Sequence, residues 1–314
     1  MNVQPSLVSA LANRLPPLAD AGAARQAAQP LPASGGRHVP EPDYNPQLQG
    51  LLQRAFGAVP AANVPASFDA QVRGQEPRPI DMDLARICAD VHDTASTGID
   101  GWTRLGEAEL LAAGIDPASL DDPSTGFRAA LYQDDGGNTV LVFGGSNDVR
   151  DWITNFRQGL GVDDVQYNQA VALAVDAKAA FGDDLVITGT SLGGGLASTA
   201  AMATGSAAVT FNASGVNGNT LERLGLDPAQ ARAEAADGQI RRYSVEGELL
   251  TKLQEENIAT RGLMPDAIGH RITVDDPAPL SFWEKLIPGR ALAHEIDLHM
   301  IHSVIASFEQ SPPW

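Results

Sequence analysis

One stretch of this chain constrains the fold more than any other, because it joins an apolar strand to a small-residue helix through glycines. Residues 184–190 read "DLVITGT", a short continuous apolar run of the kind that forms a strand buried on both faces. Residues 191–202 read "SLGGGLASTAAM", which has the composition of a tightly packed helix. The sequence therefore predicts a strand, a sharp turn and a helix centred on Ser191.

The turn itself carries the pattern G-x-S-x-G, which is Gly189-Thr190-Ser191-Leu192-Gly193. The pattern is weak alone, but between a buried strand and a helix it predicts a nucleophile elbow. Such an elbow holds its serine in a strained backbone conformation, which is why small residues flank it. The first N–H groups of the helix favour negative charge, so the N–H of Leu192 is predicted to face an oxyanion. A glycine-rich phosphate loop is the weaker alternative, because no Lys-Ser/Thr pair follows.

Strands and helices alternate through the centre of the chain. Residues 126–146 predict an antiparallel hairpin turning at "DDGGN". Residues 167–181 predict an amphipathic helix whose apolar side carries Val171, Leu173, Ala174, Val175 and Phe181. Residues 207–215 and 239–247 predict further strands, and residues 291–310 predict a loop that enters a final helix. This alternation predicts an α/β fold in which helices cover both faces of a mostly parallel sheet.

The N-terminal quarter of the chain has a different composition. Residues 1–75 are rich in Ala, Pro, Gly, Gln and Ser, and recurrent prolines hinder regular helices and strands. We interpret them as a largely disordered tail, either a plain linker or an export signal, before a folded domain at 76–314. The start of the chain lacks a basic region followed by a continuous apolar stretch, so no Sec signal is predicted. The chain is expected to be intracellular or exported without a cleaved signal.

Charge and cysteine content exclude several classes of partner. The formal net charge of −18 repels phosphate backbones, so no nucleic acid is expected to bind. It also disfavours broad adsorption to anionic membranes, so any lipid contact is expected to be local and largely apolar. Cys88 is the single cysteine, which excludes an intramolecular disulfide, and its helical surroundings predict a buried small side chain.

A serine hydroxyl needs a base to act as a nucleophile at neutral pH, so a histidine is expected after the elbow. His270 follows it, and His294, His299 and His302 cluster close to the final predicted helix. A base of this kind would lie in a loop after the last strand. We predict His299 as the base, with His294 and His302 as surface or supporting residues and as the alternatives.

The acid that orients the base is expected at the carboxyl end of the strand at 239–247. Glu246 and Glu248 both lie there, and a buried carboxylate would hold the histidine tautomer and stabilise the imidazolium. Glu248 is favoured because it follows a glycine turn and precedes an apolar pair. Glu246 and Asp266 remain alternatives.

Three blocks of the chain resemble class 3 lipases. Residues 140–156 read "VLVFGGSNDVRDWITNF", which is similar to a family segment where a strand ends in F-R-G-T/S and D-W follows. Residues 185–201 resemble the family's G-H-S-L-G-G elbow, and residues 298–305 resemble its final histidine block, which puts the catalytic role on His299. The resemblance covers roughly residues 80–310.

This resemblance implies an α/β-hydrolase fold that hydrolyses esters of acylglycerols or phospholipids without a metal or a cofactor. The backbone N–H of Ser146 is the implied second oxyanion donor, beside that of Leu192. The chain departs from the family in three places. Gly144 stands where the family has arginine, Thr190 stands where its elbow has histidine, and the predicted acid Glu248 replaces an aspartate.

Within the family, the chain is most similar to lipase-like effectors that plant-pathogenic bacteria deliver into host cells. That likeness implies a lipid substrate, transient membrane contact, a host protein or lipid target and delivery by a specialised secretion system; a cytoplasmic location is the alternative. A monomer is expected to suffice. Two other functions compete with hydrolysis: a catalytically weak effector that binds lipid or a host target, and acyl transfer to an alcohol.

Residues 278–293 read "APLSFWEKLIPGRALA" and place four large apolar residues shortly before the histidine block. Two interpretations are open: a short helix packed on the core, and an interfacial or lid segment.

Overall fold

The computed structural model of the protein describes residues 66–145, 164–256 and 264–314. Within these ranges the strands are β1 (Gly98–Ile99), β2 (Trp102–Arg104), β3 (Asp121–Asp122), β4 (Phe127–Gln133), β5 (Thr139–Phe143), β6 (Leu185–Thr190), β7 (Ala208–Phe211), β8 (Ile240–Val245) and β9 (His270–Val274). The helices are α1 (Phe68–Val72), α2 (Ile80–Asp90), α3 (Glu107–Ala112), α4 (Asp164–Phe181), α5 (Leu192–Thr204), α6 (Gly218–Arg223), α7 (Pro228–Glu234), α8 (Leu249–Thr251), α9 (Phe282–Lys285), α10 (Arg290–His299) and α11 (Ile301–Gln310).

These strands form one mixed sheet of nine strands in the described ranges, ordered β1-β2-β4-β5-β6-β7-β8-β9, with β3 paired to β4. The pairs up to β4–β5 are antiparallel, and the predicted hairpin is confirmed, with Leu131 opposite Leu141. Strands β5 to β9 run parallel to one another in chain order. Their carboxyl ends therefore share one edge of the sheet, where side chains from distant parts of the chain can meet.

Helices cover both faces of the sheet, which confirms the predicted α/β architecture. Helices α4 and α5 pack over one face, in the same apolar cluster as Ile187 of β6. Helices α1, α2 and α11 pack over the other, in the cluster that holds Val186 and Cys88. Because successive strand residues point to opposite faces, β6 has to be apolar on both sides, as its sequence is.

A buried ion pair ties α2 to β8. Arg241 Nη2 lies 2.6 Å from Asp81 Oδ1, and both side chains are at most 1% exposed. The Tyr243 hydroxyl donates to Asp81 Oδ2 at 2.6 Å, and Arg241 also donates to the carbonyl oxygens of Val72 and Gly74. A buried pair is tolerated only when its polar atoms are satisfied in this way.

The hydrogen bonds from Arg241 to the carbonyl oxygens of Val72 and Gly74 also attach the end of α1 to β8. Phe68 and Val72 are buried against the sheet, so residues N-terminal to position 76, the predicted start of the domain, also belong to its core. The reason is that these two apolar side chains complete the cluster under α2. Residues 1–65 of the predicted tail lie outside the described residues.

Two local predictions need correction. Residues 291–310 form two helices, because Met300 adopts an extended conformation (φ −72°, ψ 145°) between α10 and α11. His299 is consequently the last residue of a helix and does not lie in a loop. In α4, Leu173 and Ala174 are buried as predicted, but Val175 is 51% exposed, because a rotation of about 100° per residue turns it away from the sheet.

Candidate active site

Ser191 lies on the turn between β6 and α5 with φ 56° and ψ −124°. A positive φ is strained for a residue with a side chain and must be held by its surroundings. Two main-chain hydrogen bonds do so: Ser191 N donates to Phe211 O at 3.1 Å, and Ser191 O accepts from Ser214 N at 2.8 Å. The turn thus has the backbone strain that the elbow pattern predicts.

Glycines on both sides of Ser191 allow this turn to form. A Cβ at Gly189 would overlap the main chain of Gly193, and one at Gly193 would overlap the carbonyl oxygen of Phe143. A Cβ at Gly194 would come within 2.7 Å of Ala213 Cβ. The G-x-S-x-G spacing is therefore required by the close approach of β5, the turn and α5.

Three predicted residues meet at the carboxyl edge of the sheet. His299 Nε2 lies 2.9 Å from Ser191 Oγ, and His299 Nδ1 lies 2.7 Å from Glu248 Oε2. Their exposures are 4% for Ser191, 1% for His299 and 0% for Glu248. In this geometry His299 can take the proton of the serine hydroxyl while the carboxylate holds its other nitrogen.

Glu248 is buried without becoming neutral, because three donors surround its carboxylate. Besides His299, the N–H of Leu250 donates to Oε2 at 2.8 Å and the N–H of Thr251 donates to Oε1, so Glu248 caps α8. Burial by itself raises the pKa of Glu248. The hydrogen bond from His299, the attraction of its imidazolium form and the hydrogen bonds from Thr251 outweigh burial, so the pKa lies below its ordinary value. An ionised Glu248 only accepts hydrogen bonds, so Nδ1 of His299 donates to it, and in the neutral tautomer that this selects Nε2 accepts from the Ser191 hydroxyl.

The alternative residues have other surroundings. Glu246 and Asp266 are both exposed. His294 pairs with Asp276 at 2.7 Å, and the exposed His302 lies 3.2 Å from Asp297. The structure thus brings Glu248 and His299, and none of these alternatives, into the hydrogen-bonded chain with Ser191.

The predicted oxyanion donors are described in part. Leu192 is the first residue of α5, so its N–H has no partner within the helix. Ser146 lies outside the described residues, and its role stays a prediction. Gly145, the residue before it, lies close to Ser191, because a Cβ at Gly145 would lie 3.5 Å from Ser191 Cβ.

Gly144, where class 3 lipases have arginine, is closely approached by side chains from other parts of the chain. A Cβ there would lie 3.3 Å from Cε1 of His92 and 3.4 Å from Cβ of Arg128. Two side chains from other elements therefore occupy the space beside the end of β5.

One further residue lies at this edge of the sheet and was not predicted. Asn212 follows β7, is fully buried, and donates from Nδ2 to the carbonyl oxygens of Leu298 at 3.1 Å and His299 at 3.0 Å. A polar amide directly after a buried strand was the available signal, but nothing in the sequence indicated its partner.

The segment at 278–293, for which two interpretations were open, exposes its large apolar side chains. Phe282, Trp283, Leu286 and Ile287 are 68%, 75%, 60% and 54% exposed, and the rings of Phe282 and Trp283 touch edge to face at 5.3 Å. The alternative of a helix packed on the core is wrong, because α9 buries none of its residues. We call these four side chains the α9 patch.

In the described ranges, no helix has the length and apolar content needed to cross a membrane. The same ranges contain no group of three or more His, Cys, Asp or Glu side chains placed to hold a metal ion.

Comparison with known proteins gave two matches. The family model of a Tle-like phospholipase domain matches residues 83–276. The extracellular phospholipase A1 of Serratia liquefaciens is 46% identical to this chain over 306 residues, an alignment that covers 95% of this chain and 94% of that protein.

Proposed function

Because the chain belongs to the family of Tle-like phospholipases, we propose that it hydrolyses carboxylic ester bonds of phospholipids through an acyl-enzyme on Ser191. One observation carries the proposal: the buried hydrogen-bonded chain from Ser191 through His299 to Glu248. The family supplies the substrate class, and these three side chains supply a complete set of nucleophile, base and orienting acid.

In the first half of the reaction, Ser191 Oγ attacks the ester carbonyl carbon while His299 Nε2 takes its proton. The N–H of Leu192, with that of Ser146 as the predicted second donor, stabilises the negative oxygen of the tetrahedral intermediate. When the C–O bond breaks, His299 returns the proton to the leaving lysophospholipid oxygen, and the acyl group stays on Ser191.

The second half repeats these steps with water. His299 removes a proton from a water molecule as the water attacks the acyl carbon, and the proton then passes to Ser191 Oγ as the fatty acid leaves. The assembled base and acid favour this hydrolysis over the alternative of a catalytically weak binding protein. Acyl transfer to an alcohol would follow the same path with another acceptor.

Cleavage at the first acyl position is the expected specificity, because the Serratia relative is named a phospholipase A1. The test uses purified protein and a phosphatidylcholine whose two acyl chains differ in mass. Release of the sn-1 fatty acid with an sn-2 acyl lysophospholipid supports the proposal; release of the sn-2 chain or of a headgroup contradicts it. An added alcohol acceptor distinguishes hydrolysis from transfer, and a triacylglycerol tests the acylglycerol alternative.

We extend the proposal to secretion, since that relative is named extracellular. Export without a cleaved Sec signal rests on the composition of the N-terminal residues, and delivery into a host cell rests on the likeness to lipase-like effectors; both stay predictions.

The α9 patch is the proposed site of membrane contact. It exposes four large apolar side chains immediately before α10, the helix that ends at His299, and a helix of ten residues spans about 15 Å. Lys285 and Arg290 lie beside the patch in a chain whose net charge is −18. Insertion of a few apolar side chains into an uncharged lipid surface fits this arrangement better than attraction to an anionic one.

Replacing Trp283 in the patch by serine is therefore expected to weaken binding to phosphatidylcholine vesicles by tenfold or more. Burial of one large apolar side chain is worth about 1.5–3 kcal/mol, and about 1.4 kcal/mol is a factor of ten. Vesicles of a diether lipid, which has no ester to hydrolyse, allow flotation to measure the bound fraction.

The matched control is Leu111→Ser, because Leu111 on α3 is 58% exposed and lies outside the patch. This variant is expected to bind vesicles like the wild type. Equal binding by Trp283→Ser and the wild type would place the membrane contact elsewhere.

A further inference from the structure

Asn212 joins the three parts of the chain that supply the proposed triad. It directly follows β7, and all polar atoms of its side chain are engaged: Nδ2 donates to two carbonyl oxygens, and Oδ1 accepts from Val245 N at 3.0 Å. The side chain is fully buried, so these bonds do not compete with water.

The contact with α10 fixes the main chain of His299. The last carbonyl groups of a helix have no partner within it, and those of Leu298 and His299 accept from Asn212 Nδ2 at 3.1 and 3.0 Å. α10 ends at His299, where Met300 turns the chain, so the imidazole is carried by a helix end that could otherwise fray.

The hydrogen bond between Asn212 and β8 lies close in the chain to Glu248, the proposed acid. Val245 is the last residue of β8, and its carbonyl oxygen accepts from the N–H of Glu248 at 3.1 Å. By accepting from Val245 N, Asn212 holds the point from which the turn to Glu248 begins.

The neighbours of Asn212 hold the nucleophile. Phe211, the residue before it, accepts from Ser191 N at 3.1 Å, and Ser214, two residues after it, donates to Ser191 O at 2.8 Å. The segment from Phe211 to Ser214 thus brackets the strained residue of the elbow, and Asn212 connects that bracket to the other two members.

We propose that Asn212 is a positioning residue that sets the distances from His299 to Ser191 and Glu248, an inference that rests on the proposed function of these three residues. Asn212 touches none of the reacting atoms. It acts through the main chain of His299 and Val245.

The backbone of Asn212 explains why asparagine suits this position. Its φ is 43°, in the left-handed region that asparagine tolerates better than most residues with a side chain. The position therefore needs both this conformation and an amide with two N–H donors. Glycine supplies the first without the second, so Asn212→Gly removes the hydrogen bonds without adding backbone strain.

In Asn212→Gly, kcat for phospholipid is expected to fall by about 10²-fold with little change in KM, because small displacements of catalytic groups have effects of this size. The rate of covalent labelling by a fluorophosphonate is expected to fall in parallel. The downfield proton resonance of the bond between His299 Nδ1 and Glu248 should shift or broaden, and this readout requires no turnover.

Gln239 provides a matched control for the loss of a buried amide. It lies just before β8, at the opposite end of that strand, and its Nε2 donates to the carbonyl oxygens of Ala201 at 2.9 Å and Ser206 at 3.2 Å. Gln239→Ala is expected to lower the thermal midpoint of unfolding, as Asn212→Gly does, but to keep the wild-type kcat and proton resonance.

Three outcomes overturn the proposal: a wild-type kcat and resonance in folded Asn212→Gly, an equal loss of kcat in Gln239→Ala, or a change confined to KM. If Asn212→Gly does not fold, Asn212→Asp replaces it, because the carboxylate keeps the acceptor for Val245 N and loses the two donors. If the wild type hydrolyses no phospholipid, the proposed function fails, whereas the resonance still decides whether Asn212 positions His299.

Discussion

Replacing Ser191 by alanine is expected to abolish both phospholipid hydrolysis and covalent labelling by a fluorophosphonate. Removal of the nucleophile from a Ser-His-acid hydrolase lowers kcat by about 10⁶-fold, because the base and acid have no hydroxyl to activate. Fatty-acid release and gel detection of the labelled protein measure the two effects. The fold should persist, since alanine removes one atom from a side chain that is only 4% exposed.

Ser198→Ala is the control for this substitution. Ser198 is also buried and also belongs to the segment after β6, but its hydroxyl donates within α5, to Gly194 O at 2.8 Å. This variant should hydrolyse and label like the wild type. If Ser191→Ala kept its activity, Ser191 would not be the nucleophile. If the wild type neither hydrolysed phospholipid nor reacted with the fluorophosphonate, lipid or partner binding would become the leading function.

Replacing Glu248 by glutamine is expected to lower kcat by about 10⁴-fold, the size of the effect when the acid of a serine triad becomes an amide. A glutamine Nε2 facing His299 would donate where the carboxylate accepts, so the imidazole would carry its proton on the nitrogen that faces Ser191. The rate of fluorophosphonate labelling should fall with kcat, since both depend on the base.

Glu246→Gln removes the same charge from an exposed position two residues earlier and is expected to leave kcat unchanged. Equal losses in the two variants would show that charge near the site, and not orientation of His299, is responsible. If Glu248→Gln kept the wild-type kcat, Glu248 would not be the acid, and Glu246 and Asp266 would again be the candidates.

The lowered pKa of Glu248 also has a consequence for stability. A carboxyl whose pKa is lower in the folded than in the unfolded state stabilises the fold above its unfolded pKa, about 4.5. That contribution is lost as the pH falls through the lower, folded value. Denaturant unfolding of wild type between pH 6 and pH 3 should therefore include an acid loss that Glu248→Gln lacks.

The elbow could be predicted in full because all of its determinants are neighbours in the chain. The strand at 184–190, the glycines around Ser191 and the helix after it are set by local sterics and by burial on both faces. The hairpin of β4 and β5 could be predicted for the same reason, since its turn residues lie between its strands.

The contacts of Ser191 with the proposed base and acid depend on tertiary structure. His299 lies 108 residues after Ser191 and 51 residues after Glu248, and local pattern says little about contacts over such distances. The residues around Glu246, Glu248 and Asp266 did not distinguish which of the three is the acid. A glutamate that caps a short buried helix has the same local sequence features as an exposed glutamate.

The sequence by itself indicated Ser191 as the candidate nucleophile, and it determined the type of sheet and the edge of the sheet at which the candidate site lies, because periodicity, turn sterics and chain order express these locally. Only the tertiary structure decided that the main chain turns at Met300, that the α9 patch faces solvent, and that Asn212 contacts the carbonyl of His299, 87 residues away. Each of these depends on which carbonyl groups and apolar surfaces remain unpartnered after the elements have packed, a property of the assembled fold and not of any one segment.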